Sequence, residues 1–282
     1  MIASFRAELF KMRHRSALWL IVAVWMVLTL VFGYLFPYLS YNGTSGGPGG
    51  VPADADAALA RALPAGVISA AVQGFPLFAG ALALILGVLV TGSEYGWQTL
   101  KAVLTQGPRR LSVLAGSFLA LQLVIGLIVV ATFLTASGGA AVVAAVTSKP
   151  AQWPGLVDFV QGFVGGWLIV GMWATLGMVL GILVRGTALA VGVGLVWALA
   201  VETLLRLFAP SVSLLDTLQR WLPGTNAGGM AGAIGVATQG AAADTPGVST
   251  VVTGTHAALV LAGYVALSVV VGAAVLQRRD VT

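Results

Sequence analysis

The sequence contains no cysteine and only two histidines, His14 and His256. Without thiols there is no disulfide, no thiolate nucleophile and no cysteine-bound metal. The two histidines lie near opposite ends of the chain, so no local spacing suggests a metal site. Charge is scarce too. Fourteen Lys and Arg and nine Asp and Glu make up 8% of 282 residues, against 59% hydrophobic residues. A soluble domain carries roughly 25% charged residues. So few charges cannot cover a globule of this length, and the mean hydropathy of +0.99 makes lipid the solvent for much of the chain. The net charge of +5 is spread thinly, with no basic stripe and no aromatic-basic motif. The cations therefore read as topology signals, not as a nucleic-acid surface.

Long apolar runs take the place of charge. A membrane-crossing helix needs ~20 mostly apolar residues. Six stretches qualify: Ala17–Phe36, one within Gly66–Thr91, Leu111–Ala136, Phe159–Val184, Thr187–Phe208 and His256–Leu276. The first follows a basic stretch, as a signal peptide would. It exceeds the roughly 7–15 residues of such a core and no small-x-small cleavage site follows, so it is expected to remain as an anchor. The uncharged sequence after the third run reaches Thr147, and its helix is expected to continue above the membrane.

Placing the N-terminus inside puts Arg6, Lys11, Arg13, Arg15, Lys101, Arg109, Arg110, Arg185, Arg278 and Arg279 on the inner side. Only Arg61, Lys149, Arg206 and Arg220 fall outside, and six of the nine acids lie there with them. The excess of inner Lys and Arg predicts both termini in the cytoplasm of a bacterial cell, with the chain in the inner membrane. The fold class expected is all-α integral membrane, a single domain over residues 1–282.

Residues 1–16 read as an interfacial amphipathic helix. Ile2, Phe5, Leu9 and Met12 share one face, and the cations occupy the rest. The first outer loop, 37–64, is rich in Gly and Pro, with Asp54–Leu63 able to form a short surface helix. In the last outer loop, 209–254, Leu214, Leu215, Leu218, Trp221 and Leu222 fall at helical spacing and Pro223–Gly224 breaks the pattern. An apolar Gly/Ala piece, Gly228–Val236, follows. Either a re-entrant hairpin dips toward the membrane here, or the segment is a disordered Gly/Ala loop.

The loop between the second and third spans, residues 93–110, is the most informative segment. Ser93 can cap a helix and Glu94 suits its first turn. Trp97, Leu100 and Leu104 share a face; Gly107 and Pro108 end the element and restart the chain. A short helix exposing apolar side chains there suits a docking knob for a soluble partner. It equally suits a linker lying on the membrane. The string Glu94, Tyr95, Thr99, Leu100, Lys101, Leu104, Thr105, Gly107, Pro108 and Arg109 resembles the corresponding loop of type-2 ATP-binding-cassette (ABC) exporter permeases of the drug, lantibiotic and bacitracin-efflux kind. The resemblance extends to the six-span plan, the N-terminal helix and the long last outer loop. It implies a coupling helix, carried here by Glu94, Tyr95, Trp97, Thr99, Leu100, Lys101, Leu104, Pro108 and Arg109, that seats in a separate ATPase. Two positions depart from the pattern. Gly96 stands where the family often has a basic residue, and Gly116-Ser117 stand where it often has a Lys.

No G-x-x-x-x-G-K-[S/T] string occurs in the chain, so it is expected to carry no ATPase chemistry itself. The resemblance implies two copies of a P-loop ATPase holding ATP and Mg, and a second copy of this permease or a paralogous one. It also implies a pathway lined by the second and fifth spans, for which Gln73, Phe75, Phe78, Trp197, Glu202 and Arg206 are the candidates. Glu202 and Arg206 are spaced to pair along one helical face, as an anchor at the helix end or as a substrate contact. Gly162, Gly166, Gly177 and Gly181 in the fourth span suit close helix packing inside one chain more than a seam between two chains. The function expected is export of an amphipathic small molecule, peptide or lipid. The alternative is an ion-coupled secondary transporter, which the near absence of charge within the spans disfavours.

Overall fold

The structure is a computed structural model, and it describes residues 1–43, 55–96, 109–236 and 245–278. Those residues form helices joined by short turns, with no strand among them. Six helices are long and apolar enough to cross a membrane: Ser16–Tyr41, Pro64–Tyr95, Arg110–Thr147, Leu156–Val184, Thr187–Ser211 and Gly254–Arg278. They mark a multi-pass membrane protein and are called the first to sixth spans below.

Burial is uneven among the spans. The most apolar windows of the second and fourth spans are 61% and 67% buried, against 22–39% in the other four. The second and fourth spans are therefore the centre of the bundle. Glycine explains how they approach so closely. A side chain at Gly87 would strike the Ala174 carbonyl, and one at Gly177 would strike the Leu84 carbonyl. On either side of this contact, Gly166 lies under the Phe75 ring and Gly181 packs on Thr91. The two helices thus touch backbone to backbone, where hydrogen and dispersion contacts replace side-chain packing. Thr91 Oγ1 adds a hydrogen bond to the Met178 carbonyl at 2.6 Å. These fourth-span glycines pack inside one chain.

The third span runs through 38 residues, roughly 57 Å at 1.5 Å per residue. A hydrocarbon core is about 30 Å thick, so its last turns extend past any such layer. Tyr34 of the first span lies over Gly139 in that extension. The helix ends at Ser148, whose φ of 52° is left-handed.

Three spans depart from α geometry. The first is a π-helix over Val31–Leu35, the second over Phe75–Ala79 and the fifth over Val196–Val201. In the second span the cause is Pro76. It has no N–H, and its ring cannot sit above the carbonyl four residues back. Helix Val67–Val72 stops short of it, and the Ala79 N–H reaches the Gly74 carbonyl at 2.9 Å.

The N-terminal helix, Ile2–His14, packs against the start of the third span. Gly116 permits this, since a side chain there would meet Ser4 and Phe5. The buried face differs from the apolar stripe expected. Met12 is buried and Phe5 and Leu9 pack on the core, but Ile2 is exposed and Glu8 takes a place in the buried face. The short helix expected within 54–63 is found at Ala55–Ala62, with Ala58, Leu59 and Ala62 buried beside the end of the first span.

Candidate functional site

Three features stand out in this apolar bundle, two of them polar. The first lies at the end of the bundle that carries the N-terminus. Lys11 Nζ is 2.7 Å from Glu8 Oε2 and 2.7 Å from Glu94 Oε1. Arg15 Nη2 lies 3.8 Å from the same Glu94 oxygen, and Arg15 Nη1 donates to the Leu89 carbonyl. Ser117 Oγ donates to Glu8 Oε2 at 3.5 Å. Burial disfavours the charged Lys11, but the bonds and fields of Glu8 and Glu94 outweigh it and raise its pKa above the ordinary 10.5. Arg110 Nη1 donates to the Leu276 carbonyl at 3.1 Å, tying the third span to the end of the sixth. The cluster joins the N-terminal helix, the end of the second span and the start of the third.

Of the residues expected in the coupling helix, Trp97, Thr99, Leu100, Lys101, Leu104 and Pro108 lie outside the described residues. Glu94, Tyr95 and Arg109 flank that stretch. Glu94 is held in the ion cluster, Tyr95 is half-buried beside it, and Arg109 is exposed as the N-cap of the third span. The Gly116-Ser117 departure has a local cause here: Gly116 admits the N-terminal helix and Ser117 donates to its glutamate.

The second feature is a cavity of about 560 Å³ between the first and second spans. Gln73, Phe75 and Phe78 line it, as do Trp25, Thr29 and Phe32. Phe32 and Phe78 stack with ring centres 6.0 Å apart, and Trp25 meets Phe75 edge-on at 5.7 Å. The π-helical segments of both spans fall here. A π-turn widens a helix and re-aims side chains, and such turns are frequent at functional sites.

The third feature is built on Glu202, which is fully buried. Its Oε2 accepts the Gly224 N–H at 2.7 Å and its Oε1 accepts Trp197 Nε1 at 3.0 Å. Gly224 is the second residue of helix Pro223–Ala233, so Glu202 satisfies a free N–H at that helix start and meets the positive end of its dipole. The expected Glu202–Arg206 side-chain pair is not formed: Arg206 Nε donates to the Glu202 backbone carbonyl at 3.3 Å. Trp197, Glu202 and Arg206 do not line the cavity that holds Gln73, Phe75 and Phe78. The 209–254 segment begins with helix Ser213–Gln219 and continues in helix Pro223–Ala233. Pro223 starts the second helix instead of a turn, because proline suits a first helical position, where no N–H is needed. The turn carbonyls are also satisfied. Asn226 Nδ2 donates to the Arg220 and Leu222 carbonyls, His256 Nε2 lies 3.0 Å from the Arg220 carbonyl, and Tyr264 Oη donates to the Trp221 carbonyl.

The six apolar helices mark a multi-pass membrane protein, with a part-buried ion cluster where the N-terminal helix meets the second and third spans and a glutamate-capped helix start against the fifth. The chain belongs to the family described as "Protein of unknown function (DUF2705)", whose model matches residues 50–282. No curated protein matches it.

Proposed function

We propose that this chain is the membrane-spanning permease subunit of an ATP-driven ABC exporter in a bacterial inner membrane, with both termini in the cytoplasm. The observation that carries the reading is the ion pair of Glu94 with Lys11. Glu94 stands near the end of the second span and opens the stretch that resembles a coupling helix. A push on that loop from an ATPase would not be lost in a slack hinge, because Glu94 is held by Lys11 and Arg15 of the N-terminal segment. The same second span carries Gln73, Phe75 and Phe78 into the aromatic cavity. One helix therefore links the loop to the space where cargo would sit.

In this reading two copies of the permease, or this chain with a paralogue, work with two ATPase subunits that hold ATP and Mg. ATP-driven closure moves the loop, and the second span alternates the cavity between the two faces of the membrane. Helix Ser213–Gln219 and helix Pro223–Ala233 form the re-entrant hairpin of the outer side, with Glu202 and Asn226 satisfying its backbone. An ion-coupled carrier has less in its favour: the Glu202 carboxylate, the acid within the fifth span, is already engaged by two donors.

The test is coupling. With the partner ATPase in proteoliposomes, Glu94→Ala and Arg109→Ala should leave ATP hydrolysis intact and abolish vectorial movement of cargo. Unchanged transport in both variants would remove the coupling role.

A further inference from the structure

The cavity between the first and second spans has a graded lining that specifies a ligand class. From Trp25 to Ser40 the first span advances fifteen residue steps, roughly 22 Å at the α-helical rise. Half a hydrocarbon core is about 15 Å. Trp25 stands near the middle of its span and Ser40 at its end, so the cavity runs from the bilayer centre to the headgroup level of the leaflet away from the N-terminus. Its deep part is apolar and aromatic, with Trp25, Phe32, Phe75 and Phe78. Ser69 and Gln73 add hydrogen-bonding groups to the wall. At the far end stands Arg61, on the short helix Ala55–Ala62.

Arg61 is half-buried, and its Nε donates to the Ala57 carbonyl at 3.2 Å. It has no carboxylate partner among the described residues. Its partial burial on helix Ala55–Ala62 pulls the guanidinium pKa below the ordinary value. A half-buried guanidinium at the mouth of an aromatic slot favours an anion, and most strongly a carboxylate or phosphate that accepts two of its donors.

We infer that the cavity binds an anionic amphiphile of the membrane. The apolar chain lies along the stacked Phe32–Phe78 pair toward Trp25 and Phe75, and the carboxylate or phosphate head rests on Arg61. The inference deepens the exporter reading by naming a substrate class, and takes from it the assignment of this leaflet as the outer one. A resident bilayer lipid and a transported amphiphile share this chemistry.

The experiment uses the full chain purified in a neutral maltoside detergent, without ATP or any partner. Binding of lysophosphatidylglycerol and of lysophosphatidylcholine with the same acyl chain is compared by native mass spectrometry. The wild type should prefer the anionic probe by about tenfold, the scale of one charge-assisted hydrogen bond. Arg61→Gln should erase the preference while Arg61→Lys retains most of it. Gly33→Leu, which puts a side chain into the slot opposite Gln73, should weaken both probes equally. Equal binding of the two probes by the wild type, or a preference that survives Arg61→Gln, would overturn the inference. Lipid recovered with the protein from native membranes separates the sources: a two-chain phospholipid marks a resident lipid and a single-chain anion marks cargo, each absent from Arg61→Gln. Because no ATPase is present, failure here is distinct from failure of the exporter reading.

Discussion

Glu202 and Gly224, twenty-two positions apart, meet through a 2.7 Å hydrogen bond from the Gly224 N–H to the buried carboxylate. The bond fixes the start of helix Pro223–Ala233 to the fifth span. Any side chain at position 224 would collide with that carboxylate. Glu202→Ala leaves the buried Gly224 N–H without its acceptor, at about 1–3 kcal/mol, and frees the part-buried Trp197 indole. Glu202→Gln keeps one carbonyl oxygen and should cost less. Gly224→Ala should destabilise by about 1–3 kcal/mol through overpacking. The double variant Glu202→Ala/Gly224→Ala should lose less than the sum, since the collision partner has gone. Thermal unfolding of the four proteins in detergent checks the order.

The seam between the second and fourth spans predicts a sharper penalty. Gly177→Val places a branched side chain against the Leu84 carbonyl, where backbone must move. A loss of ~3 kcal/mol or more is expected, at the upper end of overpacking costs. The loss in midpoint temperature should be independent of protein concentration, because the contact lies within one chain. A concentration-dependent loss would place the glycine stripe between chains.

The ion cluster predicts a loosening at alkaline pH. The pKa of Lys11 is raised in the folded protein by Glu8 and Glu94. Its contribution is therefore complete below the ordinary lysine value of 10.5 and is lost as pH rises through the higher folded value. Hydrogen exchange of the N-terminal helix should accelerate in that alkaline range in the wild type. Lys11→Met should show fast exchange already at neutral pH, with no further alkaline step from this group. An alkaline step of the same size in both proteins would remove Lys11 from the cluster's stability.

The spans were legible in the sequence because twenty-residue apolar runs have no other stable home than lipid. Their observed ends differ from the expected ones by a few residues, and the third helix continues to Thr147 as its uncharged run of Ala and Val suggested. The fourth-span glycines were legible as packing positions, since only small residues permit backbone contact. Gln73, Phe75 and Phe78 were marked in sequence, and the structure gathers them in one cavity. Arg61, Trp25 and Phe32 were not marked, because their approach depends on how the first two spans bend. Pro76 within an apolar run was the available signal for that bend. Glu8 was hidden for a different reason. A carboxylate in an otherwise apolar stripe reads as a solvated exception until Lys11 and Ser117 are seen around it. The Glu202–Arg206 spacing suggested a local pair, but the carboxylate is taken by donors that spacing cannot reveal.

The exporter reading meets its most direct test in co-purification. The tagged chain is expressed from its native gene neighbourhood and isolated in mild detergent. A P-loop ATPase should come with it in equal amount, and Trp97→Ala with Leu100→Ala should release that ATPase while the permease stays folded. A chain that isolates alone, with its native neighbours expressed, would contradict the account and leave residues 93–110 as a linker on the membrane surface.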